Sequence, residues 1–199
     1  MKNKGILLHV CCGPCLATAR ATLKNPEHTG DIPPIDRIFF YNPNIHPLLE
    51  FRRRNKALRV YLERDPLKAE IDDSYGLAIY LDQVDWRAGR QERCRSCYAM
   101  RLAKTAEMAR RFGLPAFTTT LLASREQDRD LVAEVGREMA RKHGVEFLIA
   151  DLRRFLPDEK TMRGIYKQQY CGCIFSEEER YRTTGKHLYL PGGTRNNKD

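Results

Sequence analysis

Seven cysteines fall in three tight groups: Cys11, Cys12 and Cys15; Cys94 and Cys97; Cys171 and Cys173. The number is odd, and Met1 to Gly5 is too short and polar to open an export signal, so a disulfide framework explains them poorly. Each group is compact enough for its members to face one ion or cluster, and soft thiolates select zinc or iron-sulfur clusters over hard cations. A 4Fe-4S cluster takes about four protein ligands, which leaves a surplus here for a second metal or for redox work.

Two narrower readings fit parts of the set. Cys94, Cys97, Cys171 and Cys173 suit a structural zinc, which leaves the first group unused. Cys12-Gly13-Pro14-Cys15 is identical to the thioredoxin dithiol and would support disulfide exchange, but Cys11 precedes it directly and the other groups then have no role.

Polar side chains near these groups offer further chemistry. Tyr41, Asn42, Asn44 and His46 follow a strand end, where they can bind a base or donate a proton, or simply stabilise an Asx turn. His9 alternates with apolar neighbours, which favours a core or supporting role over ligation. Tyr98 and Arg101 lie one turn on from Cys97, placed either to reach the site or to solvate their helix.

Thirty-five Lys and Arg against 26 Asp and Glu give a formal charge of +9, which suits a polyanion such as RNA but also an ordinary solvated surface. Arg52, Arg53, Arg54, Lys56 and Arg59 share a basic helical stretch, and Arg93, Arg95, Arg163 and Lys167 flank cysteine groups. These are the candidate phosphate contacts, with Arg52, Arg53, Arg54, Arg95, Arg163 and Lys167 foremost. Tyr41, Trp86, Tyr98 and Tyr170 are candidates for stacking on a looped-out base.

The elements that must position these residues alternate. Apolar runs at Ile6 to Val10, Ile38 to Tyr41, Leu77 to Leu81, Phe117 to Leu121 and Glu146 to Ala150 read as five strands. Helical patterns occupy Leu16 to Leu23, Pro47 to Glu63 and Ser96 to Phe112, the last with Leu102, Ala106, Ala109 and Phe112 in one stripe and Gly113 at its end. On this reading Cys94 and Cys97 flank a helix start, where free N-H groups favour thiolate, as Cys12 and Cys15 also do. Ser124 and Gln127 have capping-box spacing before a helix that carries Leu131, Val135 and Met139 on one face. The pattern predicts an α/β fold, a parallel sheet of about five strands with helices on both faces. Its carboxyl edge then carries Cys11 to Cys15, Tyr41 to Asn44 and Thr118 to Thr120, and the site belongs there. Residues 1–190 form one domain on this reading, with a disordered tail from Pro191. No apolar run approaches the roughly 20 residues that span a bilayer, so a cytoplasmic location is expected. Neither a Walker loop nor a GxGxxG signature is present, so neither ATP nor NAD is expected.

Five ordered segments together resemble the QueH family of epoxyqueuosine reductases: His9-Val10-Cys11-Cys12-Gly13-Pro14-Cys15, Tyr41 to Pro47, Arg93 to Tyr98, Thr118 to Leu122 and Tyr170-Cys171-Gly172-Cys173. The resemblance implies a Rossmann-like fold and a 4Fe-4S cluster with an adjacent mononuclear iron, without cobalamin. It implies an oxidoreductase that removes the epoxide oxygen of epoxyqueuosine in the anticodon loop of tRNA, the last step of queuosine biosynthesis. Electrons would come from an external carrier such as ferredoxin or flavodoxin. Cluster ligands would come from Cys11, Cys12, Cys94, Cys97, Cys171 and Cys173, with Cys15 the position at which the family varies; all seven cysteines are metal-ligand candidates, undivided between cluster and iron. Opposed to this stand a dithiol exchanger using Cys12 and Cys15 and a non-catalytic zinc-bound RNA-binding domain.

Overall fold

A computed structural model describes residues 5–25 and 32–183. The tail expected from Pro191 lies outside them. The elements run β1 (Ile6–His9), α1 (Gly13–Lys24), β2 (Ile35–Phe40), α2 (Leu48–Arg64), β3 (Ala69–Ile71), α3 (Leu77–Gln83), α4 (Arg90–Arg111), β4 (Ala116–Thr119), a 3-10 turn (Thr120–Ala123), α5 (Arg129–His143), β5 (Glu146–Phe147), α6 (Glu159–Met162) and α7 (Ile174–Thr183).

All strand pairs are parallel and the order is β3-β2-β1-β4-β5. The chain therefore reverses its direction of travel across the sheet between β1 and β4, and a crevice opens at the carboxyl ends of such a pair. Successive β1 side chains point to opposite faces. Leu7 joins the core built with Leu102, Ala106 and Ala109 of α4 and Leu131, Val135 and Met139 of α5. Leu8 and Val10 join the core built with Leu16 of α1 and Phe51, Leu58 and Tyr61 of α2. The sheet is thus covered on both faces, and polar groups can reach solvent only at its edges.

Three expectations need correction. Leu77 to Leu81 is not a strand but lies in α3: Tyr80 and Val84, four apart, are buried against Cys97 and Met100, a helical period that a five-residue apolar run conceals. The third strand is Ala69–Ile71, a short edge strand whose residues are exposed or half-buried. Ser124 does not open α5; its hydroxyl accepts from the Glu126 N-H, and the cap is Asp128, whose carboxylate accepts from the Asp130 and Leu131 N-H groups at 3.1 Å. Finally, α4 begins at Arg90, so Cys94 and Cys97 lie inside the helix rather than at its free N-H groups.

Candidate metal centre

Cys11, Cys12 and Cys15 sit in the turn from β1 into α1. Cys12 caps the helix: its sulfur accepts from the Cys15 N-H at 3.4 Å, and Pro14 occupies the first turn. Gly13 is required because a Cβ there would lie 2.7 Å from the Ala57 carbonyl oxygen of α2. The turn is thereby pressed against α2, and the three sulfurs come within 4.8 Å of one another. Thr120, beyond the end of β4, accepts from the Cys11 N-H at 3.0 Å and donates its hydroxyl to the Cys11 sulfur at 3.3 Å. Bonds from the Cys12 and Cys15 thiols, with smaller help from Arg101 and Thr120, hold the Cys11 thiol well below its ordinary range. Burial pushes the Cys12 thiol up, and bonds to its neighbours push the Cys15 thiol up. Three sulfurs this close, one of them shifted towards the thiolate form, have the composition of a soft-metal ligand set.

The other four cysteines form a second group. Cys94 and Cys97 of α4 and Cys171 and Cys173 of the segment before α7 all line one cavity of about 50 Å³. The Cys171 and Cys173 sulfurs are 3.6 Å apart, and Ser176 fastens both, its N-H 3.3 Å from Cys173 and its hydroxyl 2.9 Å from Cys171. The bond from Cys171 lowers the Cys173 thiol to about 6, while burial raises Cys97 to about 12.

Two buried arginines stand between the groups. Arg101 donates to the Asn42 side-chain oxygen at 2.8 Å and approaches the Cys97 sulfur at 3.9 Å, and its charge also reaches Cys11. Its Nε has no partner, and no carboxylate among the described residues pairs with it. A buried guanidinium needs a counter-charge, and the groups that can supply one to Arg101 among the described residues include the Cys97 and Cys11 sulfurs. Arg54 pairs with Glu50 at 2.6 Å and donates to the carbonyls of Tyr170 and Cys171 at 2.9 Å each, with its charge facing Cys12. Soft donors in two sets, with two fixed cations to offset them, fit an iron-sulfur cluster and a neighbouring metal ion. The quartet alone would also fit zinc. Disulfide exchange fits badly, because Cys12 is fully buried with its thiol shifted away from the thiolate form.

The other candidates divide. His9 is wholly buried; its Nε2 faces the Tyr41 carbonyl at 3.2 Å and so carries the proton, leaving Nδ1 to accept from the Thr119 hydroxyl at 2.8 Å. Burial lowers its pKa to about 3. It ties together the carboxyl ends of three strands. Asn42 bridges Arg101 and the Val10 carbonyl. Asn44 and Tyr98 line the quartet cavity, and the Asn44 side-chain oxygen is unpartnered. Tyr41 is half-buried and stacks on Phe39, and His46 packs edge-on against Tyr75. Neither lines the cavity. Tyr170 is buried, donating to the His46 carbonyl under Arg54, so it offers no face to a base. Trp86 is exposed, with Arg87 over its ring.

Among the basic candidates, Arg54 is corrected: it is interior, with its donors committed to Glu50 and two carbonyls, and cannot meet a phosphate. Arg95 is bound to Glu134 and Glu138. Arg52, Arg53, Arg163 and Lys167 are exposed. Sequence reasoning missed Gln168, whose amide donates to the Cys12 sulfur at 2.9 Å and Cys15 at 3.5 Å across 156 and 153 residues of chain. No local pattern marks such a contact; its place three residues before Cys171 was the only hint.

Comparison with known proteins agrees with this geometry. The family model described as epoxyqueuosine reductase QueH matches residues 6–179. The epoxyqueuosine reductase QueH of Dehalococcoides mccartyi is 34% identical over 179 residues, 88% of this chain and 94% of that protein. That of Thermotoga maritima is 32% identical over 185 residues, 88% of this chain and 91% of the relative. That of Helicobacter pylori is 28% identical over 206 residues, 94% of this chain but 54% of the longer relative. The match spans both sulfur groups, the buried arginines and the sheet between them, and the chain belongs to the epoxyqueuosine reductase QueH family of oxidoreductases.

Proposed function

We propose that this chain reduces epoxyqueuosine in tRNA to queuosine, in the cytoplasm. The reaction consumes two electrons and two protons, breaks both C-O bonds of the epoxide, leaves an alkene and releases the oxygen as water. Cys94, Cys97, Cys171 and Cys173 would hold a 4Fe-4S cluster, and Cys11, Cys12 and Cys15 a single iron. Bound there, the pair would supply one-electron transfer and a Lewis acid for the epoxide oxygen. The observation that carries this reading is the pair of sulfur groups linked by Arg101 and Arg54, a second site that a structural zinc would not require.

The protein's own residues have defined tasks. Arg101 offsets thiolate charge, while Arg54, paired with Glu50, holds the Tyr170 and Cys171 carbonyls beside it. His9, Thr119 and Thr120 fix the strand ends from which the triad hangs. The exposed Arg52, Arg53, Arg163 and Lys167 supply cations for RNA phosphates. Electrons come from a reduced carrier of the ferredoxin or flavodoxin kind.

The test is an anaerobic, chemically reduced reaction with tRNA containing epoxyqueuosine, followed by mass spectrometry of its nucleosides. Loss of one oxygen mass, dependent on iron loading, is expected; an unchanged epoxide with fully loaded protein overturns the reading. Single Cys→Ser variants test the ligand division: those at the quartet should lose labile sulfide, whereas those at the triad should lose iron but retain sulfide.

A further inference from the structure

The triad has its own opening. A cleft of about 340 Å³ is lined by Cys15, Pro14 and Thr18 of α1, the Ala123 to Glu126 loop, Arg153, Leu156, Lys167 and Gln168. Its size lies in the range of ligand pockets, whereas the quartet cavity, at about 50 Å³, does not. That smaller cavity is also bounded by the Arg93–Glu179 ion pair. One loop separates the two spaces, since Glu126 lines both. The loop is held by Arg153, which donates to the Ser124 and Gln127 carbonyls, and by the Tyr98 hydroxyl, which accepts from the Asp128 N-H at 3.3 Å.

The chemistry of the walls narrows the occupant. Arg125 and Lys167 both line the cleft, exposed and without an ion-pair partner among the described residues. Pro14 and the largely exposed Leu156 add apolar surface. Gln168 spends its amide N-H groups on the Cys12 and Cys15 sulfurs, and its buried side-chain oxygen is left unpartnered. An adjacent cavity of about 410 Å³, which shares Leu156 with the cleft, makes a useful contrast: its Arg20 and Lys24 both pair with Asp65, and no sulfur lines it. Lys167 also lines a neighbouring cleft with Arg53 and Tyr166, so the cationic surface continues away from the triad.

We propose that the cleft lined by Cys15 admits the modified nucleoside of the RNA substrate, with Arg125 and Lys167 on its flanking phosphates and the Gln168 side-chain oxygen accepting a hydrogen bond from it. The proposal rests on the reductase reading and deepens it. An extruded nucleotide is a flat heteroaromatic ring flanked by two anionic phosphates, and this cleft combines the apolar surface of Pro14 and Leu156 with two cations that have no ion-pair partner among the described residues. Gln168 is a positioning residue: it holds two triad sulfurs from the side on which the substrate arrives.

The test measures affinity for tRNA carrying epoxyqueuosine, at several salt concentrations, alongside iron content and thermal unfolding. Arg125→Glu combined with Lys167→Glu should weaken binding about tenfold or more and flatten the salt slope by between one and two, while iron content stays at the wild-type level. Thr18→Trp, which fills the cleft, should weaken binding similarly; Ala21→Trp, on the same helix but lining the adjacent cavity, should bind as wild type. If Thr18→Trp does not fold, the surface charge reversals decide. Wild-type affinity in the charge-reversed protein, with the wild-type protein still reducing the epoxide, overturns the cleft and leaves the function standing. A wild-type protein that leaves the epoxide unchanged overturns the function itself.

Discussion

Arg101 is the residue on which the electrostatics of the centre turns. It is 2% exposed, has no carboxylate partner among the described residues, approaches the Cys97 sulfur and acts by its charge on Cys11. A unit positive charge roughly 6 Å from a redox centre, at an effective dielectric of about 20, shifts its potential by on the order of 100 mV. Arg101→Met should therefore move the cluster potential in the negative direction by about that amount, read by an EPR-monitored redox titration. Arg101→Lys should restore most of the shift while leaving Asn42 without its partner. Unshifted potentials in both variants would show that the guanidinium is only a strut. Arg54 behaves differently because its charge is already matched by Glu50. Arg54→Met leaves a buried carboxylate and the Tyr170 and Cys171 carbonyls unpaired, so a loss of about 3–5 kcal/mol is expected in urea denaturation.

At the scale of elements, the triad depends on how closely α1 can approach α2. The Gly13 Cα hydrogen faces the Ala57 backbone, not a side chain that can turn aside. Gly13→Ala should cost about 1–3 kcal/mol and, by pushing the turn outward, reduce iron bound at the triad more than at the quartet; calorimetry and iron-to-sulfide ratios check both. The elements that the sequence made legible were those with one long apolar face or a strong end signal. Strands β1, β2, β4 and β5 and helices α1 and α2 lie where periodicity places them, within a few residues at their ends, and α4 and α5 do so at their bodies but not at their starts. The site's place at the carboxyl edge followed from that alternation. Misreadings arose where tertiary contact decides: Leu77 to Leu81 is apolar enough for either element, and α3 is selected by Tyr80 and Val84 meeting α4. The cysteines were legible as candidate ligands, but their grouping was not, because spacing along the chain does not report that Cys94 shares a cavity with Cys173. Arg54 looked like a surface cation for the same reason: its run of arginines hides which one turns inward.

Over the whole molecule, the segment before α7 carries two of the quartet sulfurs, and it is clamped to the sheet edge by few contacts. The His46 N-H donates to the Gly172 carbonyl at 2.8 Å, the Tyr170 hydroxyl donates to the His46 carbonyl at 2.8 Å, and Arg54 holds the carbonyls between. His46 is buried between Tyr75 and Tyr80, and burial lowers its pKa from 6.5 to about 4. In the unfolded chain it binds a proton below about 6.5, but in the folded chain only below about 4. Its contribution is therefore fully present above pH 6.5 and is lost as the pH falls towards 4, by about 3 kcal/mol at most. Because His46 sits in the clamp, acid should loosen the Cys171–Cys173 segment before the sheet melts. Lowering the pH from 7 to 5 should expose amides of residues 165–176 to hydrogen exchange while those of β1 and β4 stay protected. His46→Gln, which cannot titrate, should remove that pH dependence, and a segment that still loosens with the same midpoint would place the acid-sensitive group elsewhere.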